Sequence, residues 1–178
     1  MMRRALFLDR DGVINVDHAY VHTQESFVFI DGIFELVRKA HELGYFVIVV
    51  TNQAGIGRGY YSEGEFLVLT EWMKAKFAER CAVIDAVYFC PDHPQHGLGS
   101  YRRDSPMRKP APGMLLQARD EFGINMAHSV MVGDKLTDMQ AGAAAGIGTL
   151  LWLNPDEDGG PGEPVFSLQQ AACRLRPE

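Results

Sequence analysis

Short apolar runs and helical repeats take turns along this chain. ALFL (5–8) is a compact apolar run. GIFELVRKAHEL (32–43) spaces its apolar residues three and four apart, with Asp31 placed to cap the start of a helix and Gly44 its end. YFVIVV (45–50) is apolar without interruption, as expected of a strand buried on both faces. Ser62 and Glu65 have the spacing of a capping box ahead of a helix reaching about Arg80. AVYFC (86–90) reads as a third strand, and a polar, Pro- and Gly-rich loop fills 91–112. Pro112 opens a helix to about Phe122, closed by Gly123. SVMVG (129–133) is a fourth strand, followed by a helix to Ala145 and a stop at Gly146. TLLWL (149–153) is a fifth, after which NPDEDGGPGEP reads as loop before one short terminal helix. There is no internal repeat.

Strand and helix alternate five times, which predicts an α/β fold: a mainly parallel sheet between two helical layers in one Rossmann-like domain. The core is expected over about 4–153, with 154–178 as a C-terminal tail. The chain has 178 residues, 47% of them hydrophobic, enough for one sizeable core and too few for a large cap domain. A net charge of −6 argues against a nucleic-acid or membrane partner. Cys81, Cys90 and Cys173 are far apart and odd in number, so neither a disulfide framework nor a self-evident metal clasp is implied. The apolar run after the N-terminal arginines is too short for a signal peptide or a membrane span. A cytoplasmic monomer is expected.

In parallel sheets ligands sit beyond the C-terminal ends of the strands. Asp9 and Asp11 follow the first strand; Thr51, Asn52 and Gln53 follow the second and lead into AGIGRG. Arg108 and Lys109 end the loop after the third, and Asp134, Lys135 and Asp138 follow the fourth. Each set alone is a weak signal, more often a solvated turn, a helix cap or a charged loop. Together they place four carboxylates on one edge, where they repel one another unless a cation compensates. Oxygen ligands with open water positions suit Mg²⁺, which shares its shell readily with a phosphate. Lys109, the Thr51 hydroxyl and backbone amides then suit the remaining phosphate oxygens.

The motifs DRDG (9–12), TNQ (51–53), RKP (108–110) and GDKLTD (133–138) resemble the haloacid-dehalogenase superfamily of phosphatases. NVDHAYVH (15–22) and TNQAGIGRGYYS (51–62) resemble the capless branch that acts on D-glycero-D-manno-heptose 1,7-bisphosphate or histidinol phosphate, the heptose enzymes more closely. The resemblance implies that Asp9 is the nucleophile and forms an aspartyl-phosphate. Asp11 is the acid and base that serves first the leaving sugar oxygen and then water. It implies Mg²⁺ on the Asp9 side chain, the Asp11 carbonyl and the Asp134 side chain, with Lys135 adjacent. Thr51 and Lys109 are implied to hold the transferring phosphoryl group. Asp17, His18, Ala19, Tyr20, Asn52, Gln53, Ala54 and Arg108, with Arg58 as a further candidate, are implied to contact the sugar and its second phosphate. The substrate implied is a sugar bisphosphate cleaved at its 7-phosphate, in the synthesis of ADP-heptose for the lipopolysaccharide core.

Histidinol phosphate is the serious alternative substrate, but the arginines Arg58, Arg102, Arg103 and Arg108 favour a second anion. A phospho-receiver domain is disfavoured because its accepting aspartate follows the third strand, where this chain has Cys90-Pro91. A pure sugar-phosphate binder has no need of Asp11. The resemblance also implies a structural zinc in the loop after strand three, on a CxH and a later CxC element. Asp92 stands at the histidine position, and Ser105-Pro106-Met107 contains neither cysteine. Cys90, His93 and His96 supply at most three ligands where about four are needed. No zinc is expected, and the loop is expected to be held by its own packing and by Pro91, Pro94, Pro106 and Pro110.

Overall fold

The computed structural model describes residues 3–156 and 159–177. Its strands are β1 (Arg4–Leu8), β2 (Tyr45–Asn52), β3 (Ala86–Cys90), β4 (Val130–Gly133), β5 (Thr149–Leu153) and β6 (Glu163–Val165). They form one sheet in the order β3-β2-β1-β4-β5-β6, with every pair parallel. The helices are α1 (Ile33–Glu42), α2 (Ala54–Gly57), α3 (Glu63–Ala78), α4 (Gly113–Phe122), α5 (Leu136–Ala144) and α6 (Leu168–Ala172).

Strand β1 is central and wholly buried, so its side chains supply both layers in alternation. Leu6 and Leu8 pack with α1, α3 and α6, through residues such as Leu36, Met73 and Leu168. Ala5 and Phe7 pack with α4 and α5, through Met114, Leu115 and Ala141. The first layer is finished by aromatic rings: Phe77 lies 4.9 Å from Phe34 and 5.8 Å from Phe29.

Three local expectations change. Asp31 does not cap α1. The N-cap is Gly32 at φ 84, and the Asp31 carboxylate instead accepts from Gln169 Nε2 on α6 at 3.0 Å. The stretch expected to be loop ends in β6, a sixth strand, whose signal is hidden by Pro164 and the glycines before it. A proline is tolerated there because β6 is an edge strand. Gln53 leads into α2, a four-residue helix too short to leave a periodic pattern. The capping box at α3 is present: Ser62 Oγ accepts from Glu65 N at 3.1 Å, and Glu65 Oε2 accepts from Ser62 N at 2.7 Å. No large cap interrupts the chain. The strand-to-helix connections over 9–32 and 91–112 rise above the C-terminal edge of the sheet instead.

Phe77→Ala empties a fully buried site in the aromatic layer. Chemical unfolding is expected to show a loss of about 3–5 kcal/mol, with turnover of the folded protein unchanged. A loss under about 1 kcal/mol would remove Phe77 from the core.

Candidate active site

At the C-terminal end of β1 the chain keeps its parallel pairing for one more residue, because Asp9 N donates to Val132 O at 3.1 Å. It then turns sharply over the Arg10 carbonyl, which accepts from the amides of Val13, Ile14 and Asn15. Gly12 sits at φ +88, and a Cβ there would lie 2.0 Å from Asp134 Oδ2. Only glycine lets the DRDG turn close against the carboxylate that follows β4.

The Asp9 carboxylate is buried, and its hydrogen bonds among the described residues fall on Oδ1, from Arg10 N at 2.8 Å and Lys109 Nζ at 3.0 Å. Lys109 Nζ also reaches Asp138 Oδ1 at 2.6 Å and the Val50 carbonyl at 2.8 Å. All three ammonium protons are therefore engaged by protein oxygens. Burial raises the Asp9 carboxyl above its ordinary range, Asp138 adds to this, and Lys109 opposes it. Burial works to lower Lys109, but Asp138 and Asp9 outweigh it and raise it. Asp138 Oδ2 accepts from Lys135 N at 3.1 Å.

Oxygens of Asp9, Asp134 and Asp138 all lie within 4.8 Å of one another. Asp134 Oδ1 is buried without a hydrogen-bond partner, and burial with Asp9 and Asp138 alongside raises its carboxyl well above the usual range. A buried, orphaned carboxylate oxygen next to two more carboxylates fits a hard divalent cation. Asp138 is the member of this cluster that the motif assignment leaves out; its place in GDKLTD, four residues after Asp134, is the signal for it.

Asp11 is held from both oxygens. Oδ1 accepts from Arg10 Nη2 at 2.8 Å and Asn15 Nδ2 at 3.0 Å, and Oδ2 accepts from Gln53 Nε2 at 3.0 Å. Gln53 Nε2 also donates to Thr51 Oγ1 at 2.9 Å, and Gln53 Oε1 accepts from the Tyr61 hydroxyl at 2.5 Å. Burial pushes the Tyr61 hydroxyl up to about 12, so it stays a donor at neutral pH.

These groups open into a cavity of about 460 Å³. Its lining includes Asp17, Ala19, Tyr20, Asn52, Gln53 and Ala54 of the expected substrate contacts, with Arg108, Lys109 and Lys135. Thr51 lies beneath the lining, 1% exposed. His18 is exposed and does not line the cavity, nor does Arg58, whose guanidinium carbon lies 5.8 Å from the centroid of the Tyr20 ring. Ala19 and Tyr20 hold consecutive left-handed conformations, φ 60 and 54. Such backbone costs of order 1–3 kcal/mol per residue and tends to collect at functional sites. Asp17 pins the segment: its Oδ1 accepts from Ala19 N at 3.0 Å and its Oδ2 from Lys135 Nζ at 3.1 Å. Burial works to raise the Asp17 carboxyl, but these two donors lower it. Lys135 is raised despite burial, by Asp134, Asp9 and Asp17. Tyr61 and Thr137 also line the cavity, inside TNQAGIGRGYYS and GDKLTD but outside the residues to which the resemblance gives a role.

The loop after β3 delivers Arg108 and Lys109. Asn52 clamps it, its Nδ2 donating to Lys109 O and its Oδ1 accepting from Lys109 N, both at 3.0 Å. Arg108 Nη1 donates to Asp92 O at 3.3 Å. The buried Asp92 carboxylate accepts from Arg103 Nε at 3.0 Å and from Cys90 Sγ at 3.9 Å. His93 Nδ1 accepts from the amides of Gln95 and His96. Among the described residues, Cys90, His93 and His96 do not form a metal-ligating group.

A family model described as "HAD-hyrolase-like" matches residues 106–158. The chain is 60% identical over 153 residues to a Burkholderia mallei D-glycero-alpha-D-manno-heptose-1,7-bisphosphate 7-phosphatase, covering 86% of this chain and 81% of the relative. It is 53% identical over 175 residues to the D-glycero-beta-D-manno-heptose-1,7-bisphosphate 7-phosphatase of Vibrio cholerae, covering 98% and 91%. A crystal structure of D,D-heptose 1,7-bisphosphate phosphatase from B. bronchiseptica, complexed with magnesium and phosphate, superposes with a TM-score of 0.83 at 26% identity over 97% of each chain. The chain belongs to the haloacid-dehalogenase superfamily and, within it, to the heptose-1,7-bisphosphate 7-phosphatase family of phosphoric monoester hydrolases.

Proposed function

We propose that this protein removes the 7-phosphate of D-glycero-D-manno-heptose 1,7-bisphosphate through an aspartyl-phosphate on Asp9, in the supply of heptose for ADP-heptose and the lipopolysaccharide core. One observation carries the reading: Asp9 and Asp11 meet at the floor of one cavity, the first with both of its donors on a single oxygen and the second held by three donors. The substrate named for the relatives supports the choice of sugar.

In the first displacement the free oxygen of Asp9 attacks phosphorus while the bond to the sugar oxygen breaks, and Asp11 gives that oxygen its proton. In the second, water attacks the aspartyl-phosphate, Asp11 takes the proton from water, and phosphate leaves with the carboxylate restored. Phosphoryl transfer needs mostly positioning and charge. Lys109 holds the Asp9 oxygen that does not attack and, with its three protons engaged by protein oxygens, stabilises the phosphoryl group through its charge, while the Thr51 hydroxyl is the group assigned to a phosphoryl oxygen. The cavity's Arg108 suits the phosphate that is not cleaved, since a guanidinium matches phosphate in a bidentate way. The Asp9 and Asp134 side chains and the Asp11 carbonyl would hold Mg²⁺, beside Asp138 and Lys135. When bound it supplies positive charge to the phosphoryl oxygens. The loop after β3 is ordered by Asp92, Arg103, Asn52 and its prolines, and we assign it no zinc. No helix among the described residues is long and apolar enough to cross a membrane. The unpaired cysteines Cys81, Cys90 and Cys173 fit a reducing cytoplasm, and we take the working form to be a monomer.

Phosphate release is measured on a panel of both heptose bisphosphate anomers, fructose 1,6-bisphosphate and histidinol phosphate, with Mg²⁺. The heptose esters are expected to be turned over fastest; a preference for histidinol phosphate would overturn the substrate assignment. Asp9→Asn is expected to abolish turnover with the fold intact, and near wild-type turnover would exclude Asp9 as nucleophile. Arg108→Ala is expected to lower kcat/KM on the bisphosphate about 10- to 150-fold, the equivalent of roughly 1.5–3 kcal/mol for a charge-assisted contact. The same variant is expected to change a monophosphate much less, and equal losses would remove Arg108 from the second phosphate. A chelator is expected to abolish turnover and Mg²⁺ to restore it. Stoichiometric zinc on Cys90 in protein purified without chelator would refute the zinc-free loop.

A further inference from the structure

Gln53 is 2% exposed, and both ends of its amide are engaged. The nitrogen donates to Asp11 Oδ2 and Thr51 Oγ1, and the oxygen accepts from Tyr61. With Asp11 ionised, the amide nitrogen must face it, because a flipped amide would set its oxygen against the carboxylate, acceptor against acceptor. The torsion of a carboxylate about its last bond is otherwise broad. Arg10 and Asn15 hold one Asp11 oxygen, and Gln53 alone among the described residues holds the other. A glutamine side chain is flexible, so its grip on Asp11 is only as firm as its own anchor.

That anchor is rigid. The Tyr61 ring is 6% exposed and stacks on His22, with centroids 4.9 Å apart and planes within 3°. It passes over Gly55, where a Cβ would lie 2.3 Å from Tyr61 Cε1. The absence of a side chain at Gly55 is what lets the phenol reach Gln53.

We propose that Tyr61, acting through Gln53, is a positioning residue that fixes the plane of the Asp11 carboxyl for proton transfer to the leaving group. The proposal rests on the phosphatase reading above. It assigns Gln53 to the alignment of Asp11 in addition to any contact with the sugar. It also makes α2 and the GYY turn part of the catalytic framework.

The test uses the difference between two esters. An alkoxide needs a proton in order to leave, whereas p-nitrophenolate leaves without one, so only with the first does formation of the aspartyl-phosphate depend on an aligned Asp11, while its hydrolysis by water is common to both. Tyr61→Phe keeps the ring, the stack on His22 and the packing against Gly55, and removes the hydroxyl. In a single turnover at saturating ester, release of the sugar is expected to slow roughly 5- to 30-fold with KM within about twofold, while release of p-nitrophenol stays within about twofold. Asp11→Asn is expected to show the same split, more strongly. Thermal melting establishes that the variants are folded; if Tyr61→Phe is not, Gln53→Met breaks the same link from its other end and must show the split in the release rate. Equal losses in leaving-group release on both esters in a folded variant, an unchanged release rate, or a rise in KM alone would overturn the proposal, the last by making Tyr61 a direct substrate contact. The comparison is read on whichever alkyl phosphate the wild-type enzyme turns over. A wrong heptose assignment therefore appears as a wild-type preference for another ester, and a wrong role for Tyr61 as the loss of the split.

Discussion

Lys109 places its ammonium between the carboxylates of Asp9 and Asp138 and against the Val50 carbonyl, in a space where the residue is only 3% exposed. Removing a cation from water costs several kcal/mol unless geometry and hydrogen bonds are nearly ideal, and here every proton has an acceptor. The same ammonium makes it tolerable to hold Asp9 and Asp138 so close together. It does not balance the edge completely, because Asp134 adds a third carboxylate with an orphaned oxygen. That excess of negative charge is the physical basis for a divalent cation at this point. The atoms that carry this charge balance are therefore also those to which the proposed chemistry is assigned.

Much of the surrounding architecture serves to bring Lys109 to that position. It comes from a long loop, yet its backbone is clamped on both sides by the Asn52 amide at the end of β2. The loop is tied down further by Asp92 with Arg103, by Leu98 N on Gly57 O at 2.7 Å, and by the Tyr101 hydroxyl on Glu63 at 2.9 Å. A loop held by hydrogen bonds to neighbouring elements can keep a buried charge in register without a metal clasp. The cost is that several weak links must act together.

With no large cap, the walls of the cavity are made from the connections themselves. The segment from Asp17 to Tyr20 is held in left-handed backbone by Asp17, and Lys135 bridges it to the end of β4 from across the opening. Tyr20 meets Tyr60 edge to face at 4.8 Å, so aromatic rings complete the rim beside Arg108. Under the proposed function, selectivity for a large anionic sugar rests on a rim a few residues deep, set on the sheet.

The five main strands were legible along the chain because each is a short apolar run, unbroken in β1, β2 and β4 where both faces are covered, and the acidic pair after β1 stood out because charge is unexpected there. The helix ends at Ser62 and Gly123 were legible because caps are local chemistry. Strand β6 was not, since three residues carrying a proline show no period until β5 is beside them. The Asp31 cap failed for a similar reason: Gly32 takes the capping position, and Gln169, far along the chain, supplies the aspartate with a better partner. The motifs indicated which residues gather at the catalytic edge, but not their pairings. That Lys109 binds Asp9 and Asp138 together, that Asn52 clamps a loop, and that Tyr61 reaches Asp11 through Gln53 were decided by the tertiary structure. Local preference acts over a few neighbouring residues, whereas a hydrogen bond between distant segments depends on where the sheet, its twist and the closing loops bring the side chains.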